Sequence, residues 1–292
     1  MADLLQQGCL AEHLTCPDGS YCPSERLAGG MISWRPARLV GRMVNMPAIS
    51  ESSAGAADVA VENDYDSFAE GYAAETETNL INGYYARPAV VDLAGDVTGR
   101  KMLDAGCGSG PIFEALRDRG AIVTGFDASA KMVELARHRL GADAALLVAD
   151  IGSPLPFSDG AFDDVIASLV LHYLEDWTAP LAELRRVLKP GGRLIMSVNH
   201  PLVFKLLHRD ADYFATVKHS DEYTFNGQKA VLTYWHRPLH AMTDAFAMAG
   251  FRTTVISEPP PAPGARELFP DALAKSSSGA FLSFLFFVLE AV

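Results

Sequence analysis

Basic side chains are scarce in this 292-residue chain, with 24 Lys and Arg against 36 Asp and Glu and a net charge of −12. No Lys/Arg-rich stripe interrupts that acidic balance. Neutralising phosphates needs clustered cations, so a nucleic-acid partner is not expected. Cysteine is scarcer still, at four residues. Cys9, Cys16 and Cys22 are widely spaced and form no C-x-x-C pair, so no metal site is expected. The fourth, Cys107, lies in a glycine-rich turn, where a free thiol suits a reducing cytoplasm. No apolar run reaches membrane-spanning length; the strongest, Phe281 to Leu289, is short, aromatic-rich and reads as a buried last strand. Asp3 and the missing apolar run near it exclude an ordinary secretion signal. A cytoplasmic protein without a membrane partner is the expectation.

What the chain does have is enough apolar content for a full core, 49% hydrophobic against 21% charged. Before Tyr65 the sequence lacks periodicity and is rich in Gly, Ser, Ala and Pro. Residues 1–60 are therefore expected to be a poorly ordered or small N-terminal extension. A single domain over 61–292 is expected to follow, with a lid helix at 61–87 and an insertion at 201–238.

The most informative run is Met102-Leu103-Asp104-Ala105-Gly106-Cys107-Gly108-Ser109-Gly110, followed at once by the helical pattern of Ile112, Phe113 and Leu116. A strand that turns this tightly into a helix brings bare backbone against a ligand and aims the first helical N–H groups at it. Nicotinamide and flavin enzymes use a related turn, but here Pro111 occupies the place of their third glycine. A second strand, Ala121 to Asp127, ends in an acid about 20 residues beyond Asp104, the distance at which a carboxylate meets ribose hydroxyls. Ala144 to Val148 reads as a third strand ahead of Asp150 and Ile151, and Phe162 to Ser168 as a fourth. The helix carrying Leu181, Leu184 and Leu188 is stopped by Lys189-Pro190-Gly191-Gly192, and Leu194 to Val198 is the fifth strand.

The D-x-G-x-G-x-G turn and the L-K-P-G-G-x-L run together resemble the class I S-adenosylmethionine-dependent methyltransferases, in the small-molecule branch similar to the ubiquinone and menaquinone enzymes. The resemblance covers roughly Tyr65 to Val292. It implies an α/β, Rossmann-like fold: a mostly parallel seven-stranded sheet with the last strand reversed, helices on both faces and an inserted hairpin or lid. It also implies S-adenosylmethionine as cofactor, held by Asp104, Gly106, Cys107, Gly108, Asp127, Ala128, Met132, Asp150, Ile151, Ser168 and Leu169. Tyr65 and Tyr72 lie on what resembles the family's lid helix and are expected at the methionine carboxylate, or else as plain packing residues. Arg87 is a second candidate for that carboxylate, with a surface role expected.

A sulfonium methyl is intrinsically electrophilic, so alignment with a nucleophile supplies most of the acceleration. A general base matters only where the nucleophile must lose a proton. The candidates are His200, just after strand five, and His172, just after strand four, the latter weighed against simple packing. The insertion reads as a hairpin, Glu222 to Phe225 and Val231 to Trp235 around Asn226-Gly227, whose aromatics line an acceptor pocket or make a satellite core. The expected activity is O-methylation of a small secondary metabolite in natural-product biosynthesis. A peptide natural product methylated at its C-terminal carboxylate, and a non-catalytic S-adenosylmethionine-binding module, are the alternatives.

Overall fold

Strands with apolar residues on both faces alternate with helices that carry one apolar stripe, and this pattern builds a covered parallel sheet. The computed structural model describes residues 63–274 and 280–292. The expectations for residues 1–60, including Cys9, Cys16 and Cys22, lie outside them. The described chain opens with α1 (Tyr65–Thr78), a wide π-type turn (Asn82–Ala86) and α2 (Arg87–Ala94). Then come β1 (Lys101–Ala105), α3 (Pro111–Asp118), β2 (Ile122–Asp127), α4 (Ala130–Leu140), β3 (Ala145–Val148) and β4 (Phe162–Ser168). A 3-10 turn (Leu171–Tyr173), α5 (Thr178–Val187) and β5 (Leu188–Asn199) follow. The insertion holds α6 (Pro201–Leu207), β6 (Val217–Phe225) and β7 (Gln228–His236). The last part is α7 (Leu239–Met248), β8 (Phe251–Ser257), the single turns α8 (Ala265–Leu268) and α9 (Pro270–Leu273), and β9 (Phe284–Ala291).

The seven strands run in the order β3-β2-β1-β4-β5-β9-β8, parallel except that β9 is antiparallel to both its neighbours. This is the expected sheet with its last strand reversed. Because successive side chains on a strand face opposite ways, Met102 and Leu103 enter different cores. Leu103, Val165, Met196 and Phe287 pack with α5 and α7, whereas Met102, Ile166, Ile195 and Phe286 pack with α2 and α3. Helix α4 shows why the helices stay put. Ser129 caps it by accepting the Met132 N–H at 3.0 Å, while Met132, Val133, Ala136 and Leu140 form the buried stripe.

Two local readings change. The first helix of the lid region expected at 61–87 ends at Thr78: Asn79 is extended, its side chain accepts the Asn82 N–H at 2.8 Å, and a second helix starts where Pro88 fits the first turn. The hairpin is longer than its apolar residues suggested, pairing Val217 with His236 through Phe225 with Gln228. Its turn is the Asn-Gly type expected, with both residues at positive φ (47° and 86°).

At the end of the sheet away from the glycine turn, the Asp164 carboxylate is fully buried and receives the Arg100 and Arg193 guanidiniums at 2.5–2.9 Å. Removing one side of such a cluster leaves buried charge uncompensated, which costs about 3–5 kcal/mol. Both arginines keep roughly a third of their side chains in water (36% and 29%), so the lower end applies. Asp164→Ala is expected to lower the unfolding free energy by about 3 kcal/mol, read from urea denaturation. A loss below about 1 kcal/mol would show the cluster to be worth no more than a surface pair.

Candidate active site

The glycine turn leaves β1 with its backbone in conformations that side chains resist. Gly106, Gly108 and Gly110 all have positive φ (76°, 54° and 85°). At Gly106 there is also no room: a Cβ would collide with Val170, which follows Leu169, itself a bulky residue at φ 59°. Gly108 differs, because nothing lies within 4 Å of where its Cβ would stand, and the bare loop faces open space. That space is a cavity of about 280 Å³ at the carboxyl edge of β1, β2 and β4, close to the lower end of ordinary ligand pockets.

Asp127 ties the turn together. Its Oδ2 accepts the Gly108 N–H at 2.8 Å and its Oδ1 accepts the Ser129 N–H at 2.9 Å. Burial raises its carboxyl above the usual range, while those amides pull it back. Gly106, Cys107, Gly108, Asp127, Ala128, Met132, Asp150, Ile151, Ser168 and Leu169 all line the cavity, as do Tyr65 and Tyr72. Asp104 does not. It is buried beneath the turn, where it accepts a backbone N–H from Phe113 through one oxygen while Oδ2 has no partner. Burial, then the Asp127 charge, pushes it up to about 7. Asp104 thus braces the turn against α3 from below.

The lid helix is fastened from outside. Asp66 accepts from the Ser129 hydroxyl at 2.5 Å and the Lys131 N–H at 3.0 Å, and Glu77 pairs with Arg139 at 2.6 Å. Arg87 lines the cavity and meets Glu77 only at 3.4 Å; the surface role expected for it gives way to a place on the wall. Tyr173 and Leu174 also line it, at positions that no sequence motif singled out. The hairpin aromatics form a satellite core instead: Phe225, Leu232 and Tyr234 pack on Phe68 and on the outer sides of Tyr65, Tyr72 and Tyr173.

His172 and His200 are not brought to the cavity wall. His200 is the N-cap of α6, where its Nδ1 accepts the Leu202 N–H at 3.1 Å and its Nε2 meets Glu258 Oε1 at 2.7 Å. His172 is buried with Nδ1 accepting the Asn199 N–H at 3.1 Å and Nε2 unpartnered. Its position follows from the chain direction: β4 ends at Ser168, and the 3-10 turn that follows folds His172 beneath Tyr173 and Tyr234.

Comparison with known proteins agrees with this geometry. Residues 103–196 match the family described as a methyltransferase domain. The chain is similar to a malonyl-[acyl-carrier protein] O-methyltransferase of Serratia marcescens, at 42% identity over 99 residues, covering 34% of this chain and 38% of that protein. It is also similar to a demethylmenaquinone methyltransferase of Tropheryma whipplei, at 33% identity over 132 residues, covering 44% and 55%. The chain thus spans about half or less of the length of these curated relatives. Among solved structures, an S-adenosylmethionine-dependent methyltransferase from Mesorhizobium loti shares the fold, with a TM-score of 0.54 and 24% identity over 70% of this chain and 96% of that one.

Burial, then the neighbouring His219, pushes His172 down to about 3, and burial lowers His219 and His236 as well. An unfolded imidazole titrates near 6.5, so below that pH the unfolded chain binds more protons and these groups destabilise the fold as pH falls. Asp104 acts oppositely, because a raised carboxyl relieves its own cost as pH falls through about 7. Relative to the parent protein, His172→Gln is therefore expected to show a shallower fall of Tm between pH 7.5 and 5. Parallel Tm profiles would contradict the buried neutral imidazole.

Proposed function

We propose that the chain acts as a class I S-adenosylmethionine-dependent methyltransferase, the family that its methyltransferase-domain match and its relatives point to, and transfers the methyl group of S-adenosylmethionine to an oxygen of a small acceptor. The observation that carries the reading is Asp127, fixed by two backbone amides at the edge of a cavity whose floor is an open glycine loop. Each Asp127 oxygen keeps a lone pair for a ribose hydroxyl, and the same carboxylate repels a 2′-phosphate. Asp150 and Ile151 line the same cavity and would meet the adenine, and Arg87, also on its wall, would meet the methionine carboxylate. Bound there, the cofactor supplies an electrophilic methyl group, and the chain supplies alignment and exclusion of water. The names of the relatives, which act on malonyl-[acyl-carrier protein] and demethylmenaquinone, support a small acceptor group and, in the first case, oxygen as its nucleophile.

Asp127→Ala removes at least one charge-assisted hydrogen bond, worth about 1.5–3 kcal/mol, and is expected to weaken S-adenosylhomocysteine binding roughly ten- to hundredfold. Calorimetry showing unchanged affinity would remove Asp127 from the site. The same titration tests Arg87. Arg87→Gln is expected to weaken S-adenosylhomocysteine while leaving 5′-methylthioadenosine, which lacks the amino-acid end, unaffected. Equal losses for both ligands would place Arg87 elsewhere. The transfer itself is tested with methyl-labelled S-adenosylmethionine and a protein-free cell extract. With S-adenosylmethionine limiting, label is expected in the small-molecule fraction with the parent protein and at least several-fold less with Asp127→Ala; label in neither contradicts the proposed reaction.

A further inference from the structure

Apart from Asp127 and Asp150, the described cavity wall offers a substrate hydrogen-bond donors but no carboxylate or imidazole. Asp127 and Asp150 belong to the cofactor side in the reading above, and each already holds backbone N–H groups, Gly108 and Ser129 on one and Gly152 on the other. The other titratable groups on the described wall are Arg87, which has no lone pair to accept a proton, the phenols and the Cys107 thiol. Burial raises Tyr65, Tyr72, Tyr173 and Cys107 above their ordinary values, so in neutral water they carry their protons. The two imidazoles nearest this edge are closed to the role. A neutral imidazole has one lone pair, and in both His172 and His200 it is taken at Nδ1 by a backbone N–H, of Asn199 and Leu202. Their Nε2 atoms are therefore donors, His200 toward Glu258 and His172 beneath the rings of Tyr173 and Tyr234.

Donors without a base suit a nucleophile that needs no deprotonation. We propose that the acceptor group is a carboxylate, ionised before it binds, and that the hydroxyl pair of Tyr65 and Tyr173 orients it; this rests on the methyl-transfer reading. The two hydroxyls lie 2.5 Å apart on the cavity wall, one from α1 and one from the 3-10 turn after β4. The pair sits in a run of five phenols, Tyr72, Tyr65, Tyr173, Tyr234 and Tyr223, joined by four hydrogen bonds, so five O–H protons fill four bonds and leave one donor for an anion. The rings are held in place: Tyr65 meets Tyr72 edge-on at 5.1 Å, and Tyr173 stacks on Tyr234 at 5.3 Å. In the step itself a carboxylate oxygen lone pair forms the new O–C bond to the methyl carbon. The C–S bond breaks as this happens, and its electron pair stays on sulfur. The negative carboxylate and positive sulfonium become a neutral methyl ester and thioether, and no proton moves.

The test is calorimetry on the full-length protein saturated with sinefungin, whose ammonium stands in for the sulfonium. It compares 2-naphthoate with 2-naphthalenemethanol at pH 7.5. Naphthoate is expected to bind at least tenfold more tightly than the alcohol. Tyr65→Phe and Tyr173→Phe, which keep the rings and remove the donors, are each expected to erase most of that preference with sinefungin still bound at saturation. Equal or tighter binding of the alcohol, or no binding of naphthoate, overturns the carboxylate assignment. A preference that survives in both variants overturns the tyrosine assignment. Failure of sinefungin to bind the parent protein would instead contradict the methyl-transfer reading.

Discussion

The Asp127 carboxylate is the point on which the site depends. One oxygen holds the Gly108 amide of the β1–α3 turn and the other holds the Ser129 amide of the β2–α4 turn, so two neighbouring loops share one anion. Ser129 extends the chain of contacts by capping α4 and donating its hydroxyl to Asp66 on the lid helix. A single strand-end acid thereby sets the glycine loop, the start of α4 and the near end of the lid. Its charge remains inside a partly desolvated wall, where a hydroxyl-bearing, cationic ligand is the natural complement.

The cavity has two unlike ends. Toward β1 and β2 it is bare backbone and carboxylate, and toward α1 and the 3-10 turn it is tyrosine. The hairpin supports the second end from behind. Phe225 stacks on Phe68 at 5.5 Å, and Gly71 of α1 lies so near that a Cβ would come within 2.8 Å of the Phe225 carbonyl. The insertion therefore acts on the wall through the lid, since its own aromatics do not reach the cavity.

The sequence made the sheet, the glycine turn and the hairpin legible because each depends on local rules. Apolar periodicity marks the strands, Gly-x-Gly-x-Gly marks the backbone approach, and Asn-Gly marks the turn. It was less able to show where side chains converge from distant segments. Arg87 lies in a sequence that reads like a surface helix, and only the break at Asn79 turns its helix toward the wall. Tyr173 reaches the cavity because Leu169 adopts a left-handed backbone, which no residue-level pattern announces. His200 shows the converse: a histidine before proline at a strand end invites a catalytic role, yet the same position makes it the cap of α6.

A cavity built on a glycine loop and the Asp127 carboxylate takes an adenosyl sulfonium or thioether rather than a dinucleotide. The most direct test is calorimetric titration of the full-length protein with S-adenosylmethionine, S-adenosylhomocysteine and NAD in parallel. Micromolar binding of the first two is expected, with one site per chain, and no heat with NAD. Binding of NAD at comparable affinity, or no binding of either sulfur ligand, would contradict it.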